Sequence, residues 1–136
     1  MREILFRGKD ILTGEWLYGD LIQSANEEDV KFIVPFTETN TRGIIPETIG
    51  QFTGCCDKNG TRIFEGDIVR HIQKYEISDE VESTAVIIWN EAYSCWSVKY
   101  LNGRVTAFLG CEHFKIEVIS NVHDNPELLK GDDKAE

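Results

Sequence analysis

The chain is poor in the residues that carry familiar catalytic and metal chemistry. It has three histidines in 136 residues, His71, His113 and His123, none close to another in sequence. Its four cysteines, Cys55, Cys56, Cys95 and Cys111, include no C-x-x-C pair and so lack the close spacing of ordinary structural zinc ligands. A site built from Cys55 or Cys56 with Cys95, Cys111 and His113 would need scattered pieces to converge. Small apolar thiols are the expectation. No Gly-x-Ser-x-Gly occurs, and Ser94-Cys95-Trp96 has no histidine beside it. The glycine-rich stretch 49–69 lacks the lysine and following helix of a phosphate loop. These absences lead us to expect a protein that is not an enzyme and holds no metal or cofactor.

Long apolar runs are missing too. Nothing approaches the roughly 20 residues needed to span a bilayer. The opening residues MREILFRGKD place charges on both sides of three apolar residues and lack a secretory core. No membrane role is expected, and the expected compartment is the cytoplasm.

Positive charge is the third shortage. Fourteen Lys and Arg face 24 Asp and Glu, giving a net charge of −10. The acid is concentrated in 76–91, which has five carboxylates and no Lys or Arg, and in 24–50 and 124–136. Binding to duplex DNA needs several cationic phosphate contacts and is not expected. One local basic face, Arg62, Arg70, His71 and Lys74, could oppose that trend.

What the chain does have is strand and turn signal. Ile4-Leu5-Phe6 ends at Gly8 and Asp10, and Thr13-Gly14 turns into Trp16 to Ile22. Phe32-Ile33-Val34 is closed by Pro35. Thr37 to Gly43 reads as a loop, and Ile44-Ile45-Pro46 as extended chain. Between Ile49 and Val69 lie four glycines, a hairpin turn at Asp57-Lys58-Asn59-Gly60 and a bend at Glu65-Gly66-Asp67. After a polar excursion over 73–83, Ala85 to Trp89 and Trp96 to Tyr100 read as paired strands. Asn102-Gly103 favours a tight primed turn into Val105 to Leu109, and Ile116 to Ser120 is the last strand. Only one-turn helical pieces are expected, near 111–114 and Pro126 to Leu129. Short strands punctuated in this way predict an all-β, mostly antiparallel protein. We divide it into an N-terminal sheet over 1–60, a small SH3-like barrel over 61–123 and an acidic tail over 124–136.

FRGKD (6–10), GEWLYGD (14–20), PETIGQFTGCCDKNG (46–60), IFEGDIV (63–69) and NVHDNPELL (121–129) occur in one order. In these five pieces the chain resembles the YopX family, small proteins carried by bacteriophages and prophages. It departs from the family pattern at Cys55-Cys56, where a large apolar and then a polar residue are usual, and at Ser120, where glycine is common. The resemblance implies a mostly-β, SH3-like fold and a phage setting in a bacterial cell. It brings no reaction, cofactor or catalytic residue with it.

Candidate interaction residues come from the chain itself. Glu65 and Asp67 are two apart, so in an extended segment their carboxylates would share a face, as acid–base work or a cation site requires. The blander role is to accept bonds from backbone N–H groups at the turn, and no third ligand lies nearby. Asp57-x-Asn59-Gly60 faintly resembles a calcium loop, but aligning Gly60 with the loop glycine puts Cys55 and Gly66 at the end ligands, which fails. Trp16, Trp89 and Trp96, with Tyr18, Tyr93, Phe52 and Phe64, could stack on single-stranded nucleic acid or fill a core. The core role would bury at least two of the tryptophans. With so few cations available, protein binding is the leading expectation, through sheet edges or a barrel groove. The partner would be a phage or host protein, or a second copy in a homo-oligomer. Single-stranded nucleic acid is the alternative.

Overall fold

The computed structural model describes residues 2–26, 30–73, 81–107 and 115–130. Its strands fall into two sheets, one of six strands and one of five. Every strand pair with a defined register is antiparallel. The all-β expectation holds. Among the described residues no helix is long and apolar enough to cross a membrane.

The chain divides into two compact units, 1–54 and 55–136, so the boundary lies between Gly54 and Cys55 rather than after residue 60. The first unit carries β1 (Phe6–Lys9), β2 (Trp16–Gln23), β3 (Lys31–Pro35), β4 (Arg42–Ile44) and most of β5 (Gly50–Cys56), with a 3₁₀ turn at Pro46–Thr48. Along β2 the side chains alternate, Leu17 and Gly19 turned inward and Tyr18 and Asp20 outward. Leu17, Ile33 and Ile44 form the buried core, with Leu21 and Ile49 packed against it. Burial of each such aliphatic side chain contributes about 2 kcal/mol. Gly19 is required by a close approach, since a Cβ there would collide with the Val34 carbonyl of β3. At the β1–β2 turn Asp10 is buried. Its Oδ1 accepts the Leu12 and Thr13 N–H groups at 2.7 and 3.3 Å, and Oδ2 accepts from Arg42 Nε at 2.7 Å. Those backbone donors, with the Arg42 guanidinium, hold the Asp10 carboxyl below its ordinary range. Arg42 also donates to Glu38 at 2.8 Å, tying β4 to the loop before it.

The second unit begins within β5. A hairpin turn leads to β6 (Arg62–Phe64), followed by β7 (Asp67–Gln73), β8 (Val81–Asn90), β9 (Cys95–Tyr100), β10 (Val105–Ala107), β11 (Ile116–Asn121) and a 3₁₀ turn at Pro126–Leu129. Its core is Ile63, Val69, Ala85, Ile87, Val98 and Ile116, drawn from five strands, with Cys55, Trp96, Tyr100 and Val118 against it. The registers Val69↔Ala85, Ala85↔Tyr100 and Ile87↔Val98 bring these residues to one face. The expected turns are present. Gly60, Gly66 and Gly103 all have positive φ, at 83°, 89° and 90°. Asp57, 3% exposed, accepts the N–H groups of Asn59 and Thr61 on Oδ1 at 2.8 and 2.9 Å. Its Oδ2 accepts Val118 N–H of β11 at 2.9 Å, so one carboxylate ties the hairpin to the last strand.

Several expectations need correction. The SH3-like barrel is not closed: β10 and β11 are the two ends of the second sheet and are not paired with each other among the described residues. β6 is hydrogen-bonded in the other sheet, because the turn at Glu65-Gly66 redirects the chain before β7. The loop placed at 37–43 gives way to β4 at Arg42, and β5 had no assigned strand. The excursion over 73–83 is shorter than expected, since β7 reaches Gln73 and β8 starts at Val81. The stretch 124–130 is folded rather than a tail. Asn121 Oδ1 accepts the His123 and Asp124 N–H groups at 3.0 and 2.9 Å before the closing 3₁₀ turn. The piece expected at 111–114, and residues 131–136, lie outside the described residues.

Candidate functional site

The residues singled out in the sequence go to three places. Glu65 and Asp67 do not form an extended acid pair, because Gly66 between them has a φ of 89° and breaks the alternation that would align them. Asp67 is 1% exposed, and its Oδ2 accepts the Phe64 N–H at 2.7 Å. That is a turn-closing bond and leaves no solvent-facing carboxylate pair.

Trp16, at the start of β2, is half-buried. The Arg7 guanidinium and Lys9 ammonium of β1 stand over its ring at 4.8 and 5.3 Å. Lys9 pairs with Trp16 directly in the strand register, which explains the contact.

Trp89 and Trp96 come together. They are register partners on β8 and β9, with ring centroids 4.9 Å apart and planes at 75°. This edge-to-face arrangement matches the aromatic quadrupole. Trp96 is half-buried against the core, whereas Trp89 is 43% exposed. None of the three tryptophans is fully buried, and of Trp89 and Trp96 only Trp96 packs against the core of the second unit.

Beyond Asn90, residues 91–94 make a four-residue loop, every one of them exposed. Asn90 Oδ1 accepts the Ala92 and Tyr93 N–H groups at 3.0 and 3.4 Å, and Ser94 closes the loop with a φ of 51°. This local bonding projects Tyr93 outward, 80% exposed. Trp89 and Tyr93 therefore crown a hairpin held by its own ladder, an Asx turn and the aromatic pair. The stretch from Val81 to Trp96 contains no Lys or Arg and carries Glu82 and Glu91, while Lys99 lies further along β9, paired with Val86. Chemically the tip can offer two π faces and apolar area, with no cation to hold a phosphate. Tyr93, named with the tryptophans among the aromatics of the sequence, is the most exposed ring of this tip.

The basic face does not survive folding. His71 is buried, and its Nδ1 shares a hydrogen bond with Tyr100 Oη at 2.7 Å. Arg70 is drawn to Glu117 at 2.6 Å and Glu82 at 3.7 Å. The Arg70 guanidinium, then the Asn59 side-chain amide, hold the Glu117 carboxyl below its ordinary range. Arg62 is exposed on β6, and Lys74 lies outside the described residues.

Among the described residues no group of His, Cys, Asp and Glu is placed to hold a metal. Cys56 is an exposed thiol and Cys95 a half-buried one, while Cys55 is disulfide-bonded, against the expectation of a thiol there. Cys111 and His113 lie outside the described residues.

Comparison with known proteins adds a fold and a family. The chain is similar to the crystal structure of protein EF1440 from Enterococcus faecalis, with a TM-score of 0.52 and 24% identity over 95% of this chain and 99% of that one. That likeness is one of fold. Among curated proteins none matches. The family model described as YopX protein matches residues 5–130, and with nearly its whole length matched the chain belongs to the YopX family.

Proposed function

We propose that this YopX-family chain is a non-enzymatic phage or prophage accessory protein that binds another protein in the host cytoplasm, using the β8–β9 hairpin tip as its contact. One observation carries the reading: Trp89 and Tyr93 are held in water, 43% and 80% exposed, on a hairpin whose strands pair up to Asn90↔Cys95 and whose loop is bonded to Asn90. Exposing two large aromatics costs solubility, and Trp and Tyr are the side chains enriched where protein interfaces concentrate their energy. A rigid tip also loses little entropy on binding. The absence of Lys and Arg from Val81 to Trp96 favours a protein over single-stranded nucleic acid, whose phosphates need cations beside the stacking rings.

The test is affinity capture from bacteria carrying the phage, with wild type and Tyr93→Ala in parallel. The reading expects a stoichiometric partner held by wild type and lost by a variant whose circular dichroism and melting are unchanged. No partner for wild type, or equal capture by both, counts against it. Single-stranded oligonucleotides titrated across a salt series complete the experiment. A tight shift that weakens steeply with salt would replace protein binding with nucleic-acid binding.

A further inference from the structure

We propose that the hairpin tip receives a cationic segment of its partner protein, an arginine or lysine seating against the faces of Trp89 and Tyr93. This rests on the protein-binding reading above and names the chemistry of the partner.

The protein's own aromatic surfaces point to it. Trp16 is capped by Arg7 and Lys9 at 4.8 and 5.3 Å, and Tyr100 by Arg104 at 5.4 Å. Two aromatic faces are thus matched by a cation, Trp16 from the neighbouring strand and Tyr100 from the residue before β10, whereas exposed Phe36 has none among the described residues. At the hairpin tip no cation stands over Trp89 or Tyr93 among the described residues. Val81 to Trp96 contains no Lys or Arg, and the hairpin's one cation, Lys99, pairs with Val86 rather than with a residue of the tip. The charge nearby is of the opposite sign: Glu91 is exposed in the loop between the two aromatics, in a chain of net charge −10. A guanidinium on these rings would gain the ring quadrupole and the Glu91 carboxylate together. The same charges repel an acidic segment or a phosphate backbone and so select the partner by sign.

The probe is a blocked Gly-Arg-Gly-Arg-Gly-Arg peptide, titrated into ¹⁵N-labelled full-length protein and followed by amide and indole resonances. A peptide with citrulline in place of each arginine serves as the neutral isostere. The proposal expects saturable shifts centred on the Trp89 indole and the Ala92 and Tyr93 amides with the arginine peptide and none with citrulline. Tyr93→Ala should weaken binding about fivefold, and Glu91→Gln about twofold. Trp16→Phe, in the other unit, should leave it unchanged. Equal binding of the citrulline peptide overturns the proposal, as do shifts spread over the acidic surface that survive Tyr93→Ala. Stronger occupation of the tip by oligothymidine also overturns it. A partner lost by Tyr93→Ala in the capture experiment, with no arginine-peptide binding, removes this inference and leaves the protein-binding reading standing.

Discussion

Asp57 shows how much one buried side chain does in this molecule. Its two oxygens satisfy three backbone N–H groups, from Asn59, Thr61 and Val118, at 2.8–2.9 Å. Asp57→Ala leaves those donors without their acceptor, and losing a buried acceptor costs about 1–3 kcal/mol. We expect chemical denaturation to show a loss of about 3 kcal/mol, larger than for exposed Asp20→Ala. The turn role of Asp57 was legible in the sequence, from the Asp-x-Asn-Gly pattern. Its bond to Val118, 61 residues away, was not, because local pattern carries no information about which strand arrives beside a turn. Glycine gives a second contrast. A Cβ at Gly19 would strike the Val34 backbone carbonyl, whereas at Gly8 it would meet the side-chain Cγ2 of Ile44. Backbone in a paired strand cannot yield, while a side chain can shift. Gly19→Ala should therefore lower the melting temperature more than Gly8→Ala.

The β8–β9 hairpin concentrates what can be argued about a single element. Its strands were readable from the apolar run Ala85 to Trp89 and the alternation of Trp96, Val98 and Tyr100, and Ala85↔Tyr100 confirms the pairing. Its tip was less readable, because exposure of Trp89 depends on where the core ends along the strand. Ser94 occupies the left-handed region at φ 51°, which disfavours a residue bearing a Cβ. Ser94→Gly relieves that strain but adds freedom to the unfolded chain, so we expect a net gain of about 0.5 kcal/mol by denaturant titration. Binding at the tip should be retained, since Trp89 and Tyr93 are untouched. Ser94→Val should destabilise the hairpin, because a branched side chain fits the left-handed region worse still.

Across the whole molecule, carboxylates set the response to acid. Asp10 in the first unit is held below its ordinary value of 3.8 by backbone donors and Arg42, and Glu117 in the second below 4.5 by Arg70 and Asn59. A carboxyl with a depressed folded pKa stabilises the fold above its ordinary value and loses that contribution as pH falls through the folded one. Melting temperature should therefore hold down to about pH 4.5 and decline below it, and Glu117→Gln should make the decline shallower. The large-scale reading of the sequence recovered an all-β chain with little helix. It misjudged the closure of the second sheet, because strand order depends on pairings between distant segments and not on local alternation. The basic face failed for a related reason: spacing along the chain does not show which acids fold back onto Arg70. That same remoteness bears on how the chain is made. β7 lies between β8 and β11 in its sheet, and β11 is the last strand of the chain to be synthesised. On the ribosome one side of β7 must wait, unpaired, until the chain has grown from Gln73 to β11. The Asp57 carboxylate then acts as a latch that can close only when the final strand has emerged.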